Sequence, residues 1–181
     1  MRSLFLLGVS LLLPLAAQAR DWQVDATQST LTFQASYQKE ALAGRFKRFN
    51  AAIAYDERDP SKDKFDVTID VTSIDTQNNE RDDTLKGGDF FDPKRFPQAH
   101  FVTTSFDKSA DGSVIAHGTL AIRNAAKPVT LKVKFVAKGD KATLDVDTTL
   151  KRADFGLGVS KDWDDIGADV PVHGHLVLGA K

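Results

Sequence analysis

The stretch Phe65-Asp66-Val67-Thr68-Ile69-Asp70-Val71-Thr72 decides the fold class. Apolar and polar residues alternate strictly through it, which is the period of a β-strand with one buried and one wet face. Similar alternation runs through the segments 30–37, 49–55, 99–107, 113–122, 128–137, 144–151 and 170–178. The sequence therefore predicts an all-β protein of about eight antiparallel strands.

Turn residues between these segments favour hairpins over parallel units. Asp111-Gly112 and Lys138-Gly139-Asp140 lie between adjacent predicted strands, at hairpin spacing. Eight twisted antiparallel strands can close into a barrel, which removes exposed edges, or can form a two-sheet sandwich. The alternation by itself does not choose between these two architectures.

The segment Asp75–Gly88 interrupts the alternation and predicts a short helix. Asn78-Asn79 can cap its start, and Gly87-Gly88 can end it. Leu85 is the single apolar residue of 80–86, so the helix is expected to lie over a barrel end rather than in the core. The adjacent rings of Phe90-Phe91 cannot both point to one side of a strand and are expected to cover the barrel mouth from a loop.

Residues 1–19 have the three-part layout of a secretory signal. Arg2 precedes an apolar run, Leu4–Leu13, and Ala17-Gln18-Ala19 supplies the small residues of a cleavage site. The apolar run is about half of the ~20 residues that a membrane-spanning helix needs. We therefore expect a signal peptide at 1–19 and one exported, periplasmic domain at 20–181.

Composition excludes several function classes. The chain has 24 basic and 25 acidic residues, evenly spread, and this balance argues against nucleic-acid binding. It has no cysteine, which excludes disulfides and thiolate metal sites.

His173 and His175 share one strand face that is expected to point outward, so no metal site is predicted. A nucleophile elbow and a glycine-rich phosphate loop are both missing from the sequence, and no catalytic residue is nominated.

Several stretches of the chain, taken together, resemble a known family. They are Trp22-Gln23-Val24-Asp25, Gly44-Arg45-Phe46, the segment 69–76, the segment 85–101, and Arg152-Ala153-Asp154-Phe155-Gly156. In this order they are similar to the YceI-like family of lipocalin-like, polyisoprenoid-binding periplasmic proteins. Asn124-Ala125-Ala126 departs from the glycine-containing turn of many members. Since Asn tolerates the left-handed conformation well, the fold is expected to survive this change.

The resemblance implies an extended, lipocalin-like, eight-stranded antiparallel barrel with a short helix and loop near one end. It also implies an elongated cavity for a polyisoprenoid, a quinone or a similar amphiphile. Lumen or mouth positions are expected for Phe33, Phe46, Phe49, Phe90, Phe91, Phe101 and Leu120. The competing interpretation is core packing, because a filled barrel shows the same alternation.

Two arginines of the family pattern are headgroup candidates. Arg81 and Arg152 can each hold a phosphate or a carbonyl through a forked contact. The alternative is that each belongs to a structural arginine–aspartate pair that ties the short helix to a strand end.

Three functional hypotheses follow. The first is a non-enzymatic carrier that transports or stores a polyisoprenoid, an isoprenoid quinone or a fatty-acid derivative, with no cofactor beyond this non-covalent ligand. The second is a redox or stress partner that presents a quinone to a membrane cytochrome. The third is a lipid-modifying enzyme that uses Arg81, Asp82, His100 or Arg152 at the mouth.

Overall fold

The computed structural model describes residues 20–56, 62–108 and 113–181. The predicted signal segment 1–19 and the predicted turn Asp111-Gly112 lie outside these residues. The described strands are β1 Arg20–Val24, β2 Thr30–Tyr37, β3 Glu40–Phe46, β4 Phe49–Tyr55, β5 Lys64–Asp70, β6 Ile74–Asp75, β7 Gln98–Lys108, β8 Val114–Ile122, β9 Ala125–Lys138, β10 Lys141–Lys151 and β11 Asp169–Ala180. The helix α1 spans Asn79–Leu85. Within these residues, no helix has both the length and the apolar character to span a bilayer.

The strands close into one antiparallel barrel. Neighbours follow the order β1-β4-β5-β7-β8-β9-β10-β11, and β11 pairs back with β1. β2 pairs with β11 beyond β1, β3 pairs with β2, and β6 pairs with β3 after β5 has ended. The eleven strands thus occupy eight positions around the wall. The eight-stranded barrel is confirmed, and the sandwich alternative is wrong.

β1, β3 and β6 were not visible as alternating segments. β3 reads Glu40-Ala41-Leu42-Ala43-Gly44-Arg45-Phe46, and its small residues blunt the contrast between its two faces. The predicted strand over 65–72 ends at Asp70, whose carboxylate accepts the N–H of Thr72 at 2.9 Å and starts a 3-10 turn. Local hydrogen bonding of this kind competes with the strand ladder.

One end of the barrel, which we call the packed end, is filled with aromatic side chains. It carries β1 and the β9–β10 turn. Ring centroids lie 4.4 Å apart for Tyr55 and Phe135, 5.0 Å for Phe65 and Phe106, and 5.3 Å for Trp22 and Phe135. The indole N–H of Trp22 donates to the Tyr55 carbonyl oxygen at 3.2 Å, which satisfies the buried polar atom. The packed end leaves the opposite half of the barrel as the place for a cavity.

The opposite end, which we call the mouth, carries the β2–β3 turn and α1. The Asn78 side chain caps α1 by accepting the N–H of Arg81 at 2.9 Å, as predicted. The buried Asp82 carboxylate accepts the N–H and the O–H of Thr76, at 2.8 and 2.5 Å. These bonds fix α1 to the chain that leaves β6, so the helix is a bound cap and not core.

The β8–β9 turn differs in detail from the expectation for Asn124. The left-handed residue is Arg123, with φ of 55°. Arg123 also donates from Nη1 to the Gly156 carbonyl oxygen at 3.0 Å. This long-range bond holds the turn against the loop after β10.

Candidate ligand-binding site

The mouth half of the barrel encloses a cavity of about 810 Å³. Its wall is built mainly from aliphatic and phenylalanine side chains on the inward faces of β2, β3, β5 and β7 to β11. The volume lies within the range of about 300–1,000 Å³ that ligand pockets occupy. The barrel is therefore solid at its packed end and hollow at its mouth.

Six of the seven predicted apolar site residues lie on this cavity wall. They are Phe33, Phe46, Phe90, Phe91, Phe101 and Leu120. Ring centroids are 5.6 Å apart for Phe33 and Phe46 and 5.7 Å apart for Phe46 and Phe91, so three of the rings form a continuous row. Their contact with a ligand remains a prediction.

Phe49 departs from the expectation, because it is not part of the cavity wall. It is the first residue of β4 and pairs across from Ile69. It points the same way as Ala51 and Ile53 and packs, partly buried, against the residues of the core. Its cross-strand partner Ile69 lines the cavity, so Phe49 lies at the height of the cavity but packs into the core beside it.

Three of the cavity phenylalanines lie against glycines. A Cβ on Gly118 would meet the Phe101 ring at 2.5 Å, one on Gly158 would meet the Phe90 ring at 2.7 Å, and one on Gly44 would overlap the Phe33 ring. A glycine within a strand commonly marks such close approach. Rings that press onto the backbone keep their bulk in the wall, which leaves the space beside them hollow.

Gly44→Ala is expected to weaken binding of a long-chain ligand while the protein stays folded. The three atoms nearest to the new Cβ all belong to the Phe33 side chain, so that ring must swing into the cavity. We expect a loss of affinity of about tenfold or more, since a ring that enters the cavity excludes about two methylenes of the tail, each worth about 0.8 kcal/mol. Titration with cis-parinaric acid, a fluorescent long-chain fatty acid, measures it.

The double variant Gly44→Ala/Phe33→Ala is the matched control. Removal of the ring restores the space, so affinity should recover at least in part. An equal loss in the single and double variants would show that the glycine acts through the backbone and not through the ring.

Arg81 is a cation with free hydrogen-bonding capacity on the cavity wall. Its Nη2 donates to the Thr76 carbonyl oxygen at 2.7 Å, which fixes the side chain at the mouth. Its Nε is buried and has no partner. An unsatisfied buried donor costs about 1–3 kcal/mol, so this group favours an acceptor that comes from outside the protein.

Arg152 does not fit the headgroup interpretation. Each of its five N–H groups donates to a backbone carbonyl, and the acceptors are Leu157, Gly158, Trp163, Ile166 and Gly167. No donor is left for a ligand. The side chain organises the loop between β10 and β11, and it does so through carbonyl groups rather than through a structural aspartate pair.

The sequence reasoning missed Phe155 and Trp163, which also line the cavity. They lie in 3-10 turns, Arg152–Phe155 and Lys161–Trp163. The Trp163 indole N–H donates to the Asp89 carboxylate at 3.0 Å, and its ring lies 4.9 Å from that of Phe90. The signal that could have identified them is the presence of large aromatic residues within polar loop segments.

Of the four residues named for an enzyme, Arg81 and Arg152 line the cavity, whereas Asp82 and His100 do not. The carboxylate of Asp82, on α1, accepts from Thr76, and His100 lies on the outer face with its Nε2 2.8 Å from Oδ1 of Asp66. His173 and His175 also lie on the outer face, as predicted, and pair with Asp147 at 2.8 Å and Asp145 at 2.6 Å.

Electrostatics at the mouth hold one strand pair together. Hydrogen bonds from Arg45, and then from the Gln77 backbone, lower the pKa of Asp75 below its usual value. Arg45 donates to this carboxylate at 2.9 and 3.0 Å across the β3–β6 pair. The ion pair therefore links β6 to β3 just before the chain enters the α1 cap.

The family model for the YceI-like domain matches residues 22–178 of the chain. The chain belongs to the YceI-like family. The match covers every described strand except the ends of β1 and β11, so the barrel and its cavity are features of the YceI-like domain itself.

Individual YceI-like relatives agree in length as well as fold. A UPF0312 protein of Pseudomonas aeruginosa is 34% identical over 160 residues, which cover 83% of each chain. The crystal structure of BcnA from Burkholderia cenocepacia superimposes with a TM-score of 0.81 at 28% identity, over 86% of this chain and 99% of BcnA. A polyisoprenoid binding domain from Saccharophagus degradans shares the fold, with a TM-score of 0.69 at 19% identity, over 88% and 98% of the two chains.

Proposed function

We propose that the protein is a periplasmic carrier that holds a long-chain apolar amphiphile in the mouth cavity and catalyses no reaction on it. The observation that supports this proposal is the hollow half-barrel, whose wall is apolar except near its mouth. The periplasmic location rests on the predicted signal segment 1–19.

Burial of an apolar tail supplies the driving force for binding. Each methylene removed from water contributes about 0.8 kcal/mol. The tail is expected to run from the mouth towards the packed end, where the ring of Tyr55 and its aromatic neighbours stop it. The packed end thus limits the length of tail that fits.

Arg81 selects the head of the ligand in this proposal. Arg81 lines the cavity together with the exposed Glu80, and its Nε has no partner. A carboxylate, a phosphate or a quinone carbonyl there would satisfy the buried donor while the rest of the head stays in water. An acidic head gains most, because the attraction between opposite charges adds to the hydrogen bond.

Polyisoprenoids, isoprenoid quinones and fatty-acid derivatives all combine a long apolar tail with a polar head. The Saccharophagus degradans domain, described as polyisoprenoid binding, shares the fold. That likeness is a reason to test isoprenoids first. The hypothesis of a redox partnership with a membrane cytochrome stays a prediction that the geometry does not test.

Native mass spectrometry of the protein purified from cells without detergent tests the proposal. We expect a species heavier than the polypeptide by the mass of one lipid, which organic extraction releases for identification. A protein that carries no lipid, and that also fails to bind added farnesol, ubiquinone or long-chain fatty acids, would overturn the proposal.

Arg81→Gln is expected to lower the affinity for an anionic amphiphile by about tenfold or more, since a hydrogen bond to a charged group contributes about 1.5–3 kcal/mol. The affinity for the uncharged methyl ester of the same fatty acid should fall by less, because its carbonyl can accept a hydrogen bond but carries no charge. Competitive displacement of cis-parinaric acid by palmitate and by methyl palmitate measures both. Arg95→Gln, which removes an exposed arginine outside the cavity wall, is the matched control. Equal losses for the acid and the ester would contradict the headgroup role.

A further inference from the structure

The barrel wall is unpaired between β9 and β10 over its mouth half. The two strands pair from Lys138 opposite Lys141 to Lys132 opposite Asp147, and their ladder stops there. Beyond that point, residues 125–131 of β9 pair with β8, and residues 148–151 of β10 pair with β11, but not with each other. We call this unpaired stretch the side slit.

The side slit lies between the cavity and a groove on the outside of the barrel. The groove has a volume of about 790 Å³ and is lined by outward residues that include Lys127, Thr130 and Thr149. Six residues line both the groove and the cavity, namely Phe33, Val129, Thr148, Leu150, Phe155 and Val172. Side chains, and no ladder of strand hydrogen bonds, therefore separate the two spaces at the slit.

Phe155 lies at the slit, where it lines both the groove and the cavity. It ends the 3-10 turn that follows β10, and this turn packs against β9 where the ladder would otherwise continue. Its side chain is buried, and the following residue is tied to the β8–β9 turn by the bond from Arg123 to Gly156. The guanidinium of Arg152 also donates to the Leu157 carbonyl oxygen, which holds the end of the same turn. The opening is thus a built feature of the wall.

The slit margin on β9 resists closure by another strand. Pro128 has no N–H to offer a neighbour, and Lys127 beside it is exposed. Proline and lysine are typical protections of an open strand edge against pairing. These residues disfavour a partner strand in the slit and leave it free for a different occupant.

We propose that the side slit is a lateral portal through which the ligand tail passes between the outer groove and the cavity. This proposal rests on the carrier function. The loop that follows α1 at the mouth is bound to the β10–β11 loop, since Gly158 N–H donates to the Asp89 carbonyl oxygen at 2.7 Å and Trp163 donates to the Asp89 carboxylate. Lateral passage lets the tail leave water along its length without breaking those bonds. It requires rotation of side chains such as Leu150 and Phe155, and the polar head never has to cross the apolar cavity.

A chemical cross-link across the slit tests the portal. The chain has no cysteine, so an introduced pair reacts alone. Thr130 and Thr149 would face each other if the β9–β10 register continued two residues past its last pair, and the double variant Thr130→Cys/Thr149→Cys is joined with a short bis-maleimide. Val136→Cys/Thr143→Cys, a facing pair inside the intact ladder of the same two strands, is the control.

The readout is stopped-flow uptake and release of cis-parinaric acid, followed by energy transfer from tryptophan. We expect the slit cross-link to lower both rate constants by about tenfold or more while the Kd changes little, because the link blocks the route and not the cavity. The control link should change neither rate. Uptake and release that are as fast in the linked slit variant as before linking would overturn the portal and leave the carrier function intact. Failure of the unmodified protein to bind this probe or any isoprenoid would overturn the carrier function, and the portal with it.

Discussion

We expect Phe101→Asp to abolish retention of long-chain lipid by the purified protein. Phe101 is 6% exposed, lines the cavity and lies against Gly118 on β8. A carboxylate at this position faces an apolar cavity, and burial of an uncompensated charge costs far more than the contacts of a tail return. Native mass spectrometry and titration with cis-parinaric acid should both show the loss.

The matched control for this change is Phe101→Leu, which keeps the wall apolar and should still bind. Because the aspartate variant also loses a buried ring, Phe33→Asp provides a second test at a half-buried position of the same wall. Circular dichroism shows whether each variant is folded. A folded aspartate variant that still co-purifies with lipid would show that these rings do not face the ligand.

Arg152→Met is expected to lower the free energy of unfolding by about 3 kcal/mol or more. The change removes five hydrogen bonds and leaves partly buried carbonyl oxygens of the β10–β11 loop without a donor. Each such group costs about 1–3 kcal/mol when water cannot reach it. Urea unfolding, monitored by circular dichroism, measures the effect.

Two controls sharpen this second test. Lys151→Met removes the exposed neighbouring charge and should change stability by less than about 0.5 kcal/mol. Arg152→Lys keeps a charge but loses the planar fork, so its stability should fall between those of the wild type and the methionine variant. A methionine variant that unfolds like the wild type but no longer binds lipid would return Arg152 to the headgroup role.

The two headgroup candidates, Arg81 and Arg152, show what the sequence could not predict. Arg81 and Arg152 each precede an aspartate within two residues, so the two sequence motifs look alike. Arg81 stands on a short helix with one acceptor in reach, whereas Arg152 stands where a loop brings five carbonyls around it. The difference depends on loop geometry far along the chain, which no local pattern encodes.

The phenylalanines show the same boundary. Phe33, Phe49, Phe65 and Phe101 all occupy inward positions of alternating strands, and the period correctly predicted their side of the wall. Whether each ring fills the core or lines the cavity depends on its height along the barrel and on its cross-strand neighbour. A glycine on the next strand keeps Phe33 and Phe101 in the wall, while aromatic neighbours surround Phe65.

The sequence by itself determined most of the strands, their wet and dry faces, the capped helix and the family, because these depend on period, turn chemistry and local motifs. The tertiary structure alone decided how strands distant in the chain align, and therefore where the barrel is hollow. It also decided which of Arg81 and Arg152 keeps a free donor, and where the wall between β9 and β10 stays open. The physical reason is that a cavity and a slit are spaces between side chains and strands. They arise from the sum of many contacts, so no single segment of the sequence predicts them.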